Sequence, residues 1–324
     1  MKDREIDIQT VQETAGKISA SVGGAFRGKG EVIEQMLVAL FAKGHVLLED
    51  VPGTGKTILA KALAKSIDSS FSRIQCTPDL MPADVTGCSV FSPKTQRFRF
   101  RKGPILSSIV LVDELNRATP RTQSALLEAM AESQVSVDGR RFPLPEPFFL
   151  IATENPVESE GVFPLPEAQK DRFMLSISPG YPDAASEALI IESQRRTDHP
   201  VDDVRPVASA AEILACRETI VTVHVDDSVR DYLIALSTAT RRDSRIAVGA
   251  SPRGSIALYK AAQALAAIRG RAYVVPEDIK ELMIPVFAKR LMIKPEFLMR
   301  GYKSETIIAE IAASVPIPAF RERG

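Results

Sequence analysis

The sequence predicts an α/β domain built on a largely parallel sheet, continued by an all-helical domain, and three observations predict it. Short unbroken apolar runs, Val46-Leu47-Leu48, Ile109-Val-Leu-Val112 and Phe148-Phe-Leu-Ile-Ala152, have the length and lack of alternation of strands buried on both faces. Segments with apolar residues every three to four positions lie between them, as expected of strands joined through helices. Past Pro179-Gly-Tyr-Pro182 the strand-like runs stop and helical periodicity alone remains. The expected division is therefore 1–180 for the α/β unit and 181–324 for the helical one, hinged near 179–183.

Taken in order, residues 1–30 read as a short helix and a loop, broken at Gly23-Gly24 and at Gly28-Lys29-Gly30. Ile33, Met36, Leu37, Leu40 and Phe41 make one apolar stripe on a helix ending at Gly44. Val46–Leu48 is the first strand, Leu59, Ala62, Leu63 and Ile67 mark the helix after it, and Phe71–Cys76 is a second strand. Two hairpins then interrupt the alternation. Cys88–Phe91 and Gln96–Phe100 flank Ser92–Thr95, with Phe98 and Phe100 facing one side and Arg97, Arg99 and Arg101 the other. Gln134–Val137 and Arg140–Phe142 flank Asp138-Gly139, a strong turn signal. Thr119 and Pro120 cap and start a helix with Ala125, Leu126, Ala129 and Met130 on its apolar side. In the second unit Asp183, Ser209 with Glu212, Asp226, Ser251-Pro252 and Pro276 mark five helix starts, and 304–313 is amphipathic.

The residues that carry chemistry sit at the ends of these strands. After Val46–Leu48 the chain runs Glu49-Asp-Val-Pro-Gly-Thr-Gly-Lys-Thr57 into a helix. Gly53 and Gly55 let the backbone curl so that successive N–H groups and the helix N-terminus point at one anion; Lys56 can reach the β- and γ-phosphates, and the Thr57 hydroxyl can ligate Mg²⁺. Asp50 stands where the full phosphate-loop pattern has its first glycine. It falls at the strand end, so phosphate binding is expected to survive. Asp113 and Glu114 end the run 109–112, read here as the strand neighbouring that loop: one carboxylate to hold Mg²⁺ and one to polarise an attacking water. Asn155 ends the next apolar strand and can orient the same water, although an Asn before Pro156 is also an ordinary turn residue. Arg172 and Arg253 are candidates for reading the γ-phosphate, although on residue chemistry alone each reads more readily as a surface ion-pair partner.

Composition narrows the function classes. Hydrophobic content of 45% and charged content of 25% are those of an ordinary soluble globular protein. Lys+Arg 41 against Asp+Glu 41 leaves no net charge to draw nucleic acid or membrane. The three cysteines, Cys76, Cys88 and Cys216, fit no disulfide framework and are expected to be small buried residues. The three histidines, His45, His199 and His224, are too scattered to suggest zinc. The charged N-terminus lacks the core of a signal peptide, and no apolar run approaches the roughly 20 residues of a membrane span, so the expected location is cytoplasmic.

Six segments together resemble one family. Gly44–Thr57, Asp113-Glu-Leu-Asn-Arg-Ala118, Gln123-Ser-Ala-Leu-Leu-Glu-Ala-Met130, Ala152-Thr-Glu-Asn-Pro156, Leu165-Pro-Glu-Ala-Gln-Lys-Asp-Arg-Phe173 and Gly249-Ala-Ser-Pro-Arg-Gly254 look like the motifs of MoxR-type AAA+ ATPases, in order and spacing, over nearly the whole chain. The resemblance implies an AAA+ αβα P-loop nucleotide-binding domain with a helical lid. It also implies ATP with Mg²⁺, and a homo-oligomeric ring, usually a hexamer, with ATP at subunit boundaries. Position by position, Lys56 and Thr57 match Walker A, and the nucleotide-binding set is Pro52, Gly53, Thr54, Gly55, Lys56, Thr57 and Ile58. Asp113 and Glu114 match Walker B, with Thr57 and Asp113 as the metal pair, and Asn155 matches the first sensor. Arg172 matches the arginine finger acting on the neighbouring subunit's ATP, and Arg253 the lid's sensor arginine. The hairpins at 88–101 and 134–142 match two insertions typical of this clade. The chain departs from the motifs at Glu154, where Gln is more frequent, and at Lys170, where an apolar residue is.

The expected function is ATP hydrolysis that drives chaperone-like remodelling or maturation of a client through metal or cofactor insertion. A von Willebrand factor A domain protein is the partner the resemblance suggests. Two other classes compete: a nucleic-acid motor using Arg97, Arg99, Arg101, Arg140 and Arg141, which the zero net charge disfavours, and a nucleotide-gated scaffold with little turnover.

Overall fold

The computed structural model describes residues 7–27, 30–49, 53–155, 162–193 and 200–318. The first helix, α1 (Ile8–Ala25), runs through Gly23-Gly24 rather than breaking there. Val11, Ala15, Ile18, Val22 and Ala25 are buried along one side of it, and that packing outweighs the modest cost of glycine in a helix. In α2 (Gly30–Phe41) every residue from Met36 to Phe41 is buried, so its second half is covered all round and the expected single stripe holds only for its start.

The α/β part follows as β1 (Val46–Glu49), α3 (Lys56–Ser66), β2 (Phe71–Gln75), α4 (Pro82–Thr86), the hairpin β3 (Gly87–Ser92) and β4 (Arg97–Lys102), and β5 (Ile109–Asp113). Next come α5 (Pro120–Glu132), the hairpin β6 (Gln134–Val137) and β7 (Arg140–Pro143), β8 (Phe149–Glu154), α6 (Glu167–Lys170) and β9 (Leu175–Ile177). Five strands pair in parallel in the order β2–β5–β8–β1–β9. This corrects the expectation that the strand ending in Asp113 neighbours the phosphate loop: β8 lies between β1 and β5, aligning Leu48 with Thr153 and Val112 with Ala152. Strand adjacency is decided by tertiary pairing and not by chain order, because each crossover can skip a position.

Side chains alternate between the two faces of this sheet. Val46, Leu48, Ile109, Leu111, Phe149 and Ile151 pack with α1, α2 and α3, while Leu47, Val110, Val112, Leu150 and Ala152 pack with α5. In the second hairpin Asp138 and Gly139 take φ of +50° and +73°, the conformation its turn signal calls for. Phe100 and Phe142 stack at 3.9 Å with planes 15° apart, so the two hairpins are joined through one pair of rings.

The remaining elements are α7 (Ala184–Ser193), α8 (Ala210–Ile220), α9 (Asp227–Arg242), β10 (Ile246–Val248), α10 (Pro252–Ile268), α11 (Pro276–Phe287), β11 (Met292–Ile293), α12 (Pro295–Leu298) and α13 (Ser304–Ser314). The expected starts hold: Ser186 N–H donates to Asp183 Oδ1 at 2.7 Å, Ser209 and Glu212 form a reciprocal capping box, and Asp226 and Ser251 accept from Ser228 and Gly254 N–H. The part expected to be helical throughout also contains a small antiparallel pair, β10 with β11. Leu258, Ala261, Ala262 and Leu265 of α10 are buried in the core that α1 and α2 share, so the apolar interior passes unbroken from sheet to helices.

Candidate functional site

The carboxyl ends of β1, β8 and β5 form one edge, and Glu49, Glu154 and Asp113 close the three strands there. Neighbouring strands lie about 4.8 Å apart, so Asp113 falls about 10 Å from the strand that delivers the phosphate loop. Open parallel sheets bind ligands at this edge. Gly53 and Gly55 take φ of +88° and +81°, in the left-handed region, and Gly55 starts α3 with no side-chain cap, which leaves an anion to fill that role. A Cβ on Gly55 would come within 3.3 Å of the Phe26 ring, so the end of α1 buttresses the loop. Thr54 is buried, whereas Lys56, Thr57 and Ile58 in the first turn of α3 remain partly exposed. Asp50 and Pro52, together with Pro156 and His199, lie outside the described residues.

Asp113 is nearly buried and already partnered. It accepts from Arg73 Nε at 2.6 Å and from Thr153 Oγ1 at 3.4 Å. Glu114 stands in a left-handed conformation, φ +56°, uncommon for a residue with a Cβ and held because its N–H donates to Thr153 Oγ1 at 2.9 Å. Its carboxylate accepts from Gln75 Nε2 at 2.9 Å and from Arg117 Nη1 at 3.1 Å. Cys76 N–H donates to Asp113 O at 2.9 Å, and burial and the charges of both acids push its thiol up to about 12, so it stays protonated. Asn155, buried, follows the last residue of β8 directly, between the loop and the acids.

Thr153, Arg73 and Gln75 are the members of the site that sequence reading misses. Thr153 bonds both Asp113 and the backbone of Glu114, and only the alignment of β8 with β5 shows that. The alternation of Arg73 and Gln75 along β2 places both on one face, a signal legible only once β2 is known to flank β5.

Both arginine candidates are exposed. Arg172 is exposed and donates from Nη1 to Leu127 O at 2.7 Å, beside a recess of about 310 Å³ that Ser124, Glu128 and Gln169 also line. Arg253 is exposed in the first turn of α10. Lys170 lies 3.3 Å from Glu154 and 4.0 Å from Glu49, so the two departures from the expected motifs face each other.

No cluster of three or more His, Cys, Asp or Glu able to hold a metal occurs among the described residues. Nor is any described helix long and apolar enough to cross a membrane. Cys76 and Cys216 are buried as expected, but Cys88 is exposed on β3, whose outward positions face water.

The comparisons with known proteins concern the chain as a whole. Residues 45–175 match the model described as the ATPase family associated with various cellular activities (AAA), and residues 238–311 match the AAA lid domain. The chain is 47% identical over 306 residues to the uncharacterized protein YeaC of Bacillus subtilis, covering 94% of this chain and 95% of that one. It is 39% identical over 300 residues to Chaperone MoxR1 of Mycobacterium tuberculosis, covering 90% of this chain and 79% of that one. The crystal structure of a candidate ATPase from Cytophaga hutchinsonii superposes with a TM-score of 0.90 at 36% identity, covering 96% of this chain and 97% of the other. At 39% identity to Chaperone MoxR1 over 90% of this chain, and with the AAA model matched at residues 45–175, the chain belongs to the MoxR family of AAA+ ATPases.

Proposed function

We propose that this protein hydrolyses ATP with Mg²⁺ in a homo-oligomeric ring and uses the resulting motion for chaperone-like remodelling of a client protein. The observation that carries the reading is the convergence of the Gly53–Thr57 loop, Asp113 with Glu114, and Asn155 on one edge of a parallel sheet. The residues fit the group. The left-handed glycines and the uncapped start of α3 form an anion cradle, and Thr57 with Asp113 would hold Mg²⁺, which supplies charge neutralisation of the triphosphate. Arg73 shares Asp113 and would yield part of that carboxylate to the metal. A cleft of about 740 Å³ beside Phe26, lined by Lys17, Gly24, Arg27, Leu189, Glu192 and Arg205, offers room for the nucleoside end.

Glu114 takes the general-base role, receiving the proton of a water that Asn155 helps to orient. Its bonds from Gln75 and Arg117 hold the carboxylate until then. Arg172, exposed and bonded to Leu127 O of α5, supports a ring in which it reaches an adjacent copy's ATP, while Arg253 reads the nucleotide of its own subunit. The name of the mycobacterial relative supports the chaperone part. A von Willebrand factor A domain partner and a cytoplasmic location follow from the same family likeness.

Glu114→Gln tests the reading. The variant should keep its affinity for ATP in titration calorimetry and lose about 10²- to 10⁴-fold in turnover. Wild-type turnover in that variant, or no Mg²⁺-dependent ATP hydrolysis by the unaltered protein, overturns it.

A further inference from the structure

Three consecutive charged side chains leave the end of α6 in three directions. Lys170 turns to the sheet edge, 3.3 Å from Glu154 and 4.0 Å from Glu49. Arg172 turns outward to Leu127 O. Asp171, between them, turns to the lid: its Oδ1 accepts from Arg290 Nε at 2.6 Å and its Oδ2 from Ser251 Oγ at 3.2 Å. Ser251 is the cap of α10, two residues before Arg253.

The lid side of this contact is stiff. Arg290 is 5% exposed, and beyond Asp171 it donates to Phe173 O at 2.6 Å, Met174 O at 3.1 Å and Asp171 O at 3.3 Å. One buried guanidinium therefore grips the backbone on both sides of Arg172. A Cβ on Gly254 would approach Arg290 Cδ to 3.1 Å, so the first turn of α10 rests directly on it. If the start of α10 moves against the sheet, either Asp171 follows or a buried charge loses its counter-ion, which is unfavourable. If Asp171 follows, Arg172 moves with it.

We propose that Asp171 is a positioning residue that carries the lid's response to nucleotide, sensed at Arg253, to the arginine that the same subunit offers to the next. The proposal rests on the ring reading above. It gives the tie between Asp171, Arg290 and Ser251 a role between subunits, where simple clamping of lid to core would act within one.

Mixed rings separate the two roles. Subunits carrying Glu114→Gln bind ATP without turning it over, so in large excess over unaltered subunits they act chiefly as arginine donors. Donors that also carry Arg172→Ala should lower turnover per unaltered subunit at least tenfold relative to plain Glu114→Gln donors. Donors that carry Asp171→Asn should fall most of the way to the same level, with ATP affinity unchanged. Equal turnover with Asp171→Asn and plain donors overturns the relay; equal turnover with Arg172→Ala and plain donors overturns the ring reading itself. Where Asp171→Asn prevents assembly, hydrogen exchange on the Glu114→Gln protein decides. ATP must change protection at 167–174 together with 251–256, and a change at 251–256 alone overturns the relay.

Discussion

The Lys170 ammonium lies 3.3 Å from the Glu154 carboxylate, so the two positions that the sequence reading set apart as unlike the resembled motifs form one ion pair. Glu154 is 7% exposed, and burial raises its pKa although Lys170 opposes the shift. Lys170→Leu alone should therefore cost about 1–3 kcal/mol, because an acid stays buried near Glu49 without its partner. The double variant Lys170→Leu/Glu154→Gln should return to within about 0.5 kcal/mol of the unaltered protein. An acid whose folded pKa is raised destabilises the fold above its unfolded value, and losing Lys170 raises it further, so the deficit of Lys170→Leu should grow as pH rises past the already raised folded value. Urea unfolding at pH 5 and pH 8 reads both effects, and strictly additive single variants would dissociate the pair.

Thr153 accepts the Glu114 N–H and donates to Asp113 from the same hydroxyl. Replacing it with Val keeps the volume and strands that N–H, which should cost about 1–3 kcal/mol in stability and loosen the left-handed turn at Glu114. Thr153→Ser should keep most of both. Turnover should therefore fall by an order of magnitude or more in Thr153→Val, with KM for ATP little altered. A similar loss in the Ser variant would shift the explanation from the hydroxyl to the methyl.

His45 acts as a neutral linker between β1, α5 and β8. Its Nδ1 accepts from Leu150 N–H at 3.1 Å, which places the proton on Nε2, 3.4 Å from Met130 O. Burial is the main cause that lowers its pKa from 6.5 to about 4. A His with a depressed folded pKa stabilises the fold fully above the unfolded value, and the contribution is lost as pH falls from about 6.5 toward about 4. Over that window His45→Gln should lose about 3 kcal/mol less than the unaltered protein, measured by chemical denaturation at pH 7.5 and 4.5. Parallel pH profiles would rule out the role.

Local chemistry was legible in the sequence where it is repeated or constrained. The glycine turn at Gly53 and Gly55, the Asp113-Glu114 strand end, the Ser209–Glu212 capping box and the Asp138-Gly139 turn each depend on residues close in the chain, and each stands where its spacing predicts. The order of strands was not legible, because the placement of β8 between β1 and β5 is decided by pairing across more than a hundred residues. The short edge strand β9 escaped notice, since Leu175-Ser-Ile177 is too brief for its alternation to register. Gly23-Gly24 misled for the opposite reason: a helix breaker in isolation is overruled by a well-buried face. Lys170 and Glu154 stood out singly as departures, and only folding shows that each accounts for the other.

The flat contact between Phe100 and Phe142 has a mechanical corollary. The second ribbon begins at Gln134, separated only by Ser133 from α5, the helix whose Leu127 carbonyl holds Arg172. A tug on the tip of the first ribbon therefore has a rigid route through two rings and one rod to the guanidinium, without crossing the sheet. Whatever grips that tip has its hand on a lever whose other arm ends at Arg172.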